Sequence, residues 1–215
     1  MGKFLGVYDY TVILTYLSLI SSLIGITQAF AGNGPVAIIC LAISGVCDAF
    51  DGRVARVKKN RTDDEKAFGI QLDSLCDVIC FGAFPALLCY TLGMNNVLGM
   101  VIVCFYSLCA VIRLAFFNVL EAKRQQTEGG GNKTYHGLPV TSIAFILPLG
   151  YILNFFVEPQ IFQIFLHVLM TATGFLFILD FPLRKPSLKT LLIMIAVAVV
   201  IVGGVFFFKL VRPGL

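Results

Sequence analysis

Four aspartates fall in two pairs, Asp48-x2-Asp51-Gly52-x2-Ala55-Arg56 and Gly69-x3-Asp73-x3-Asp77, inside runs that are otherwise apolar. A carboxylate near the centre of a membrane helix costs on the order of 3 kcal/mol or more. Four at one depth repel each other unless protons or a cation hold them together. The i,i+3 spacing of Asp48 and Asp51 puts both on one helix face, and so does the i,i+4 spacing of Asp73 and Asp77. Two such faces turned together make a hard, oxygen-rich site suited to Mg²⁺ or Mn²⁺.

The elements that must position these acids are membrane helices. The chain has 215 residues, 58% hydrophobic and 13% charged, with a mean hydropathy of +0.91. Soluble domains carry about 25% charged residues, so the expected fold class is an all-α polytopic membrane helix bundle. A spanning helix needs about 20 apolar residues. Spans are expected near 11–30, 35–57, 66–91, 96–120, 138–156, 160–180 and 188–209. Ala29-Phe30-Ala31 has the look of a signal-peptide cleavage site, but the run before it exceeds the usual h-region and reads as the first span.

Loop charges set the orientation. Lys58, Lys59, Arg61 and Lys66 fall in one loop, Lys123, Arg124 and Lys133 in a second, and Arg184 and Lys185 in a third. The alternate connections hold no Lys or Arg, a positive-inside pattern that puts the N-terminus and the basic loops in the cytoplasm. The net charge of +4 gives no sign of nucleic-acid binding. Gly129-Gly130-Gly131-Asn132 makes the second loop either a flap over a cytoplasmic site or a slack connector. The seven cysteines all lie in apolar stretches, where they read as small buried hydrophobes.

Both acid pairs should lie about 10–15 Å below the cytoplasmic mouth at about 1.5 Å per residue. Gly45, Gly52, Ala55 and Gly69 allow close approach of a helix or a ligand. Arg56 is either a snorkelling anchor or a guanidinium fork for phosphate. Thr62-Asp63-Asp64-Glu65 fits a capping box for the third span, which is sufficient to explain these residues; contact of Thr62 with a ligand phosphate is the alternative role. Arg113 is expected at the depth of the aspartates, either neutralising them or binding an anionic substrate group, with Asn118 nearer the mouth. Lys133 and His136 are candidates to reach the site from the glycine-bearing loop, with a simple loop residue as the alternative reading of His136. His167 reads as a core histidine, and Asp180 as the helical i+4 partner of Arg184.

With eight fixed positions, the run 48–77 resembles the signature of the CDP-alcohol phosphotransferases, D-x2-D-G-x2-A-R-(x)n-G-x3-D-x3-D. Twelve residues separate Arg56 from Gly69, more than is usual in that family, and the surplus falls in the charged loop. Phe81-Gly82-Ala83-Phe84-Pro85, Arg113-Leu114-Ala115-Phe116-Phe117-Asn118 and His136-Gly137-Leu138-Pro139 look like the membrane-embedded phosphatidylserine synthases of bacteria and archaea.

The resemblance implies a six-helix core, placed over 1–185, and a homodimer; the segment 186–215 carries no signature of the family, and its apolar run reads as an added C-terminal span with a short tail. It implies transfer of a phosphatidyl or archaetidyl group from a CDP-lipid to the hydroxyl of L-serine, with release of CMP, at the cytoplasmic face of the cell membrane. Asp48, Asp51, Asp73 and Asp77 would hold the metal ions, and Asp77 would be the general base. Gly52, Ala55, Arg56, Thr62 and Gly69 would bind the CDP-lipid, and Arg113, Asn118, Lys133 and His136 the serine or its phosphate. The nearest rival is the same chemistry with glycerol 3-phosphate or an inositol phosphate as acceptor. A rival of another class is a divalent-cation transporter, disfavoured because the acids gather near one membrane face.

Overall fold

Five helices are long and apolar enough to cross a membrane in the computed structural model, which describes residue 6 and residues 10–57, 62–126, 134–184 and 203–204. The chain enters through a short 3-10 turn into α1 (Ile13–Phe30), then α2 (Gly34–Val57). The third span is α3 (Asp63–Asp77), a wide π turn (Val78–Ala83) and α4 (Phe84–Thr91) in one continuous rod. α5 (Val97–Gln126), α6 (Ile143–Tyr151) and α7 (Pro159–Ile178) follow among the described residues. The seventh expected span, 188–209, lies outside the described residues apart from 203–204.

The helices are apolar on both sides, as membrane helices must be. Tyr106, Phe81, Phe84, Ile38, Leu41, Leu147 and Phe177 fill the interior. Ile20, Val97, Val101, Phe116, Ile164 and Val168 stay exposed on the outside, where lipid would cover them. α1 packs most extensively on α2. Its buried face is a stripe of small and hydroxyl residues: Thr15, Ser18, Ser22, Gly25 and Ala29. Ser18 and Ser44 hydroxyls lie 2.7 Å apart, and Ser22 donates to Ser44 at 2.9 Å. Such interhelical hydroxyl bonds let two backbones approach closely in a medium where apolar burial supplies little drive.

The expected fifth span is the least regular. It forms a 3-10 turn (Val140–Ser142), α6 and a second 3-10 turn (Ile152–Phe155), shorter than the other spans. Pro148 lies inside α6 and has no N–H to return to the preceding turn. At Gly45 the α2 backbone meets α6, and a side chain there would run into the Ala144 methyl.

One element departs from an all-helical expectation. β1 (Thr134–His136) and β2 (Pro182–Arg184) pair antiparallel, with His136 opposite Pro182 and Thr134 opposite Arg184. The end of the second basic loop is therefore tied to the exit of α7. Gly137 continues the tie, donating to the Phe181 carbonyl at 2.8 Å, and Leu138 donates to the Leu176 carbonyl at 3.2 Å. Gly137 has φ +73°, and a Cβ there would meet the Leu179 carbonyl at 2.7 Å, so both conformation and space call for glycine. Because α7 stops at Ile178 and Arg184 is in β2, Asp180 and Arg184 are not spaced by a helical turn, which corrects the helical spacing expected for them; the Arg184 side chain lies outside the described residues.

Candidate active site

The two acid pairs meet where α2 and α3 face each other. One carboxylate oxygen each from Asp48, Asp73 and Asp77 lies within 4.8 Å of the others. The carboxyl groups of Asp48 and Asp77 are in contact across the two helices, as are those of Asp51 and Asp73. Asp51 is buried, and its Oδ2 accepts a hydrogen bond from the Thr15 hydroxyl of α1 at 3.1 Å. Asp73 Oδ1 is buried with no hydrogen-bond donor among the described residues. An orphaned carboxylate oxygen in a cluster of oxygen donors is what a hard divalent cation would satisfy, so these residues fit Mg²⁺ or Mn²⁺.

Local sequence explains how the acids are aimed. Thr62 caps α3 as expected: its hydroxyl accepts from Glu65 N–H at 3.2 Å, and the Glu65 carboxylate accepts from Thr62 N–H at 3.0 Å. This fixes where the helix starts and therefore the rotation at which Asp73 and Asp77 arrive. Asp77 is the last residue before the π turn, in which Phe84 N–H bonds back five residues to the Ile79 carbonyl. Pro85 brings no amide to the Phe81 carbonyl, and the buried Tyr106 of α5 donates its hydroxyl there at 2.6 Å. π turns inside α-helices are frequent at functional sites because they re-aim the residues beside them.

The flanking candidates divide into several groups. No described atom lies within 4 Å of where a Cβ on Gly52 would stand, so that side of α2 is open beside Asp51. Ala55 and Arg56 continue α2 into its last turn, and their side chains lie outside the described residues. Gly69 lies on α3 one turn before Asp73. Arg113 is buried as expected, and its Nε donates to the Leu138 carbonyl at 3.3 Å. Asn118 accepts from the Ser74 hydroxyl at 2.7 Å, joining α5 to the residue next to Asp73. Lys133 lies outside the described residues; His136 is in β1 by its backbone, and its side chain is likewise outside them. His167 is only half explained as a core residue. Its Nδ1 is 2.6 Å from the Gln163 carbonyl, while Nε2 is buried without a partner among the described residues.

Thr15 and Ser74 touch the site without having been singled out in the sequence. Thr15 had a signal: with Ser18, Ser22, Gly25 and Ala29 it marks one helix face by small or hydroxyl side chains in an apolar span. Ser74 had none, since one serine beside an aspartate is unremarkable without its partner across the bundle.

Comparison with known proteins agrees with this geometry. The family model described as CDP-alcohol phosphatidyltransferase matches residues 10–211. The CDP-diacylglycerol–serine O-phosphatidyltransferase of Saccharomyces cerevisiae is 38% identical over 110 residues, 50% of this chain and 38% of that protein. The archaetidylserine synthase of Methanothermobacter thermautotrophicus is 34% identical over 151 residues, 68% of this chain and 59% of its own length. A CDP-diacylglycerol–serine O-phosphatidyltransferase of Helicobacter pylori is 29% identical over 187 residues, 85% of this chain and 73% of that protein. The chain thus spans less than two thirds of the length of the yeast and archaeal relatives. With the family model matching from the first span through residue 211, and the aspartate signature folded into one cluster, the chain belongs to the CDP-alcohol phosphatidyltransferase family.

Proposed function

We propose that this chain transfers a phosphatidyl or archaetidyl group from a CDP-linked lipid to the hydroxyl of L-serine and releases CMP. The observation that carries the reading is the convergence of Asp48, Asp73 and Asp77 oxygens within 4.8 Å in a membrane bundle. The names of the relatives, two of them serine phosphatidyltransferases and one an archaetidylserine synthase, favour serine over glycerol 3-phosphate or an inositol phosphate.

In this reading the serine oxygen attacks the phosphorus that carries the lipid. A new P–O bond to serine forms as the P–O bond to CMP breaks, and the serine hydroxyl proton passes to Asp77. An alcohol is a weak nucleophile until a base takes its proton, so a carboxylate must stand within hydrogen-bond reach of it. Asp48, Asp51, Asp73 and Asp77 would hold Mg²⁺ or Mn²⁺, which when bound supplies neutralisation of charge on the phosphate oxygens. The open side of α2 at Gly52 leaves room for the nucleotide, with Ala55, Arg56, Thr62 and Gly69 along its path. Arg113 provides a cation for the serine carboxylate, held in place by the Leu138 carbonyl. Asn118, Lys133 and His136 complete the acceptor pocket.

The charge pattern of the loops supports a site open to the cytoplasm, where CMP and serine are dissolved, with the lipid tails left in hydrocarbon. The assembly proposed from the family is a homodimer. The test is CMP release by the purified protein with CDP-diacylglycerol, Mn²⁺ and L-serine, beside parallel reactions with glycerol 3-phosphate and inositol phosphate. CMP release with serine alone supports the reading. Release only with a phosphorylated acceptor overturns the choice of acceptor, and no release with any acceptor overturns the activity.

A further inference from the structure

We infer that Thr15 is a positioning residue for the metal site: from α1, it fixes the carboxylate of Asp51 on α2. This rests on the divalent-cation reading of the aspartate cluster. Both residues are buried, Thr15 at 6% exposure and Asp51 at 8%, so no bulk water competes for their hydrogen bond. The Thr15 hydroxyl donates to Asp51 Oδ2 at 3.1 Å, between residues 36 apart in sequence.

The bond singles Thr15 out from its neighbours. Ser18 and Ser22 lie on the same α1 stripe, but their hydroxyls meet the Ser44 hydroxyl and do not reach a carboxylate. Those contacts are explained by helix packing. Thr15 instead ends on Asp51, whose carboxyl group contacts Asp73. Through Asp73 it is joined to the converging oxygens of Asp48, Asp73 and Asp77.

The physics is that of an outer-shell partner. An aspartate side chain turns about two bonds, and the Thr15 hydroxyl restrains them together with the Asp73 carboxyl group and the Gly52 amide, which also meet the Asp51 carboxylate. A neutral donor fixes the orientation without adding a positive charge that would compete with the cation. Removing such a partner lowers metal affinity by roughly 10- to 100-fold in metal sites generally. Threonine suits the position because its branched Cβ restricts χ1 in a helix.

The test uses the full chain in detergent, with Mn²⁺ binding followed by electron paramagnetic resonance and folding followed by thermal melting. Thr15→Val keeps the shape and removes the donor. Thr15→Ser keeps the donor, and Ser22→Ala disturbs the same helix seam away from the acids. The expected result is a roughly 10- to 100-fold weaker Mn²⁺ affinity in Thr15→Val, a loss beyond any fall in melting temperature that the unpaired Asp51 oxygen brings. Thr15→Ser should bind like the parent, and Ser22→Ala should shift melting but not affinity. Parent-like affinity in Thr15→Val overturns the inference alone. So does a Thr15→Val protein whose binding falls only in step with its melting temperature, or a Thr15→Ser protein as weak as Thr15→Val. No Mn²⁺ binding by the parent overturns the metal reading itself and the inference with it.

Discussion

The hydroxyl of Tyr106 donates to the main-chain carbonyl of Phe81 at 2.6 Å, joining α5 to the π turn just beyond Asp77. Proline at 85 leaves that carbonyl without the amide that a regular helix would supply. The bond thus supports a break in the third span four residues from the proposed base. Tyr106→Phe removes the donor and keeps the ring. A buried group left without its partner costs about 1–3 kcal/mol, so the melting temperature in detergent should fall, and CMP release with it. A Tyr106→Phe protein that melts with the parent would show that the carbonyl has another donor.

Asp77→Asn keeps the size of the side chain and removes its basicity. General-base catalysis contributes about 10²- to 10⁴-fold, so turnover should drop by at least that range when manganese is saturating. Circular dichroism should show retained helix. Parent-like CMP release by this variant would remove Asp77 from the role of base.

Asp73 Oδ1 has no hydrogen-bond partner among the described residues, and the proposed cation is its partner. Chelation should therefore abolish CMP release, and Mn²⁺ or Mg²⁺ should restore it. Asp73→Asn should bind manganese poorly in a direct binding measurement. Activity that survives exhaustive chelation would leave the cluster without a metal role.

Arg113 donates from Nε to the Leu138 carbonyl, a contact a lysine cannot reproduce in place because it has a methylene where arginine has Nε and carries its only nitrogen at the chain end. Hydrogen bonds to charged groups are worth about 1.5–3 kcal/mol. Arg113→Lys should raise KM for serine by on the order of tenfold or more, with KM for the CDP-lipid little changed. If neither KM moves, the guanidinium serves only to balance the buried acids.

The acid pairs, the capping box and the run of apolar helices were all legible in the chain, because each depends on spacing along a single helix. Asp48 and Asp51 share a face through the helical repeat alone, and Thr62 with Glu65 needs only neighbouring residues. A buried carboxylate in an apolar run is also informative by its cost, whatever surrounds it. Tertiary structure decided what depends on the rotation of one helix against another. It brought Asp48, Asp73 and Asp77 to one point, turned Asp51 toward Thr15, and set Tyr106 opposite Phe81. It also paired His136 with Pro182, joining two loops that sequence keeps 46 residues apart. The reason is that periodicity specifies which face of a helix is distinctive, while the partner of that face is chosen by packing among all the helices at once.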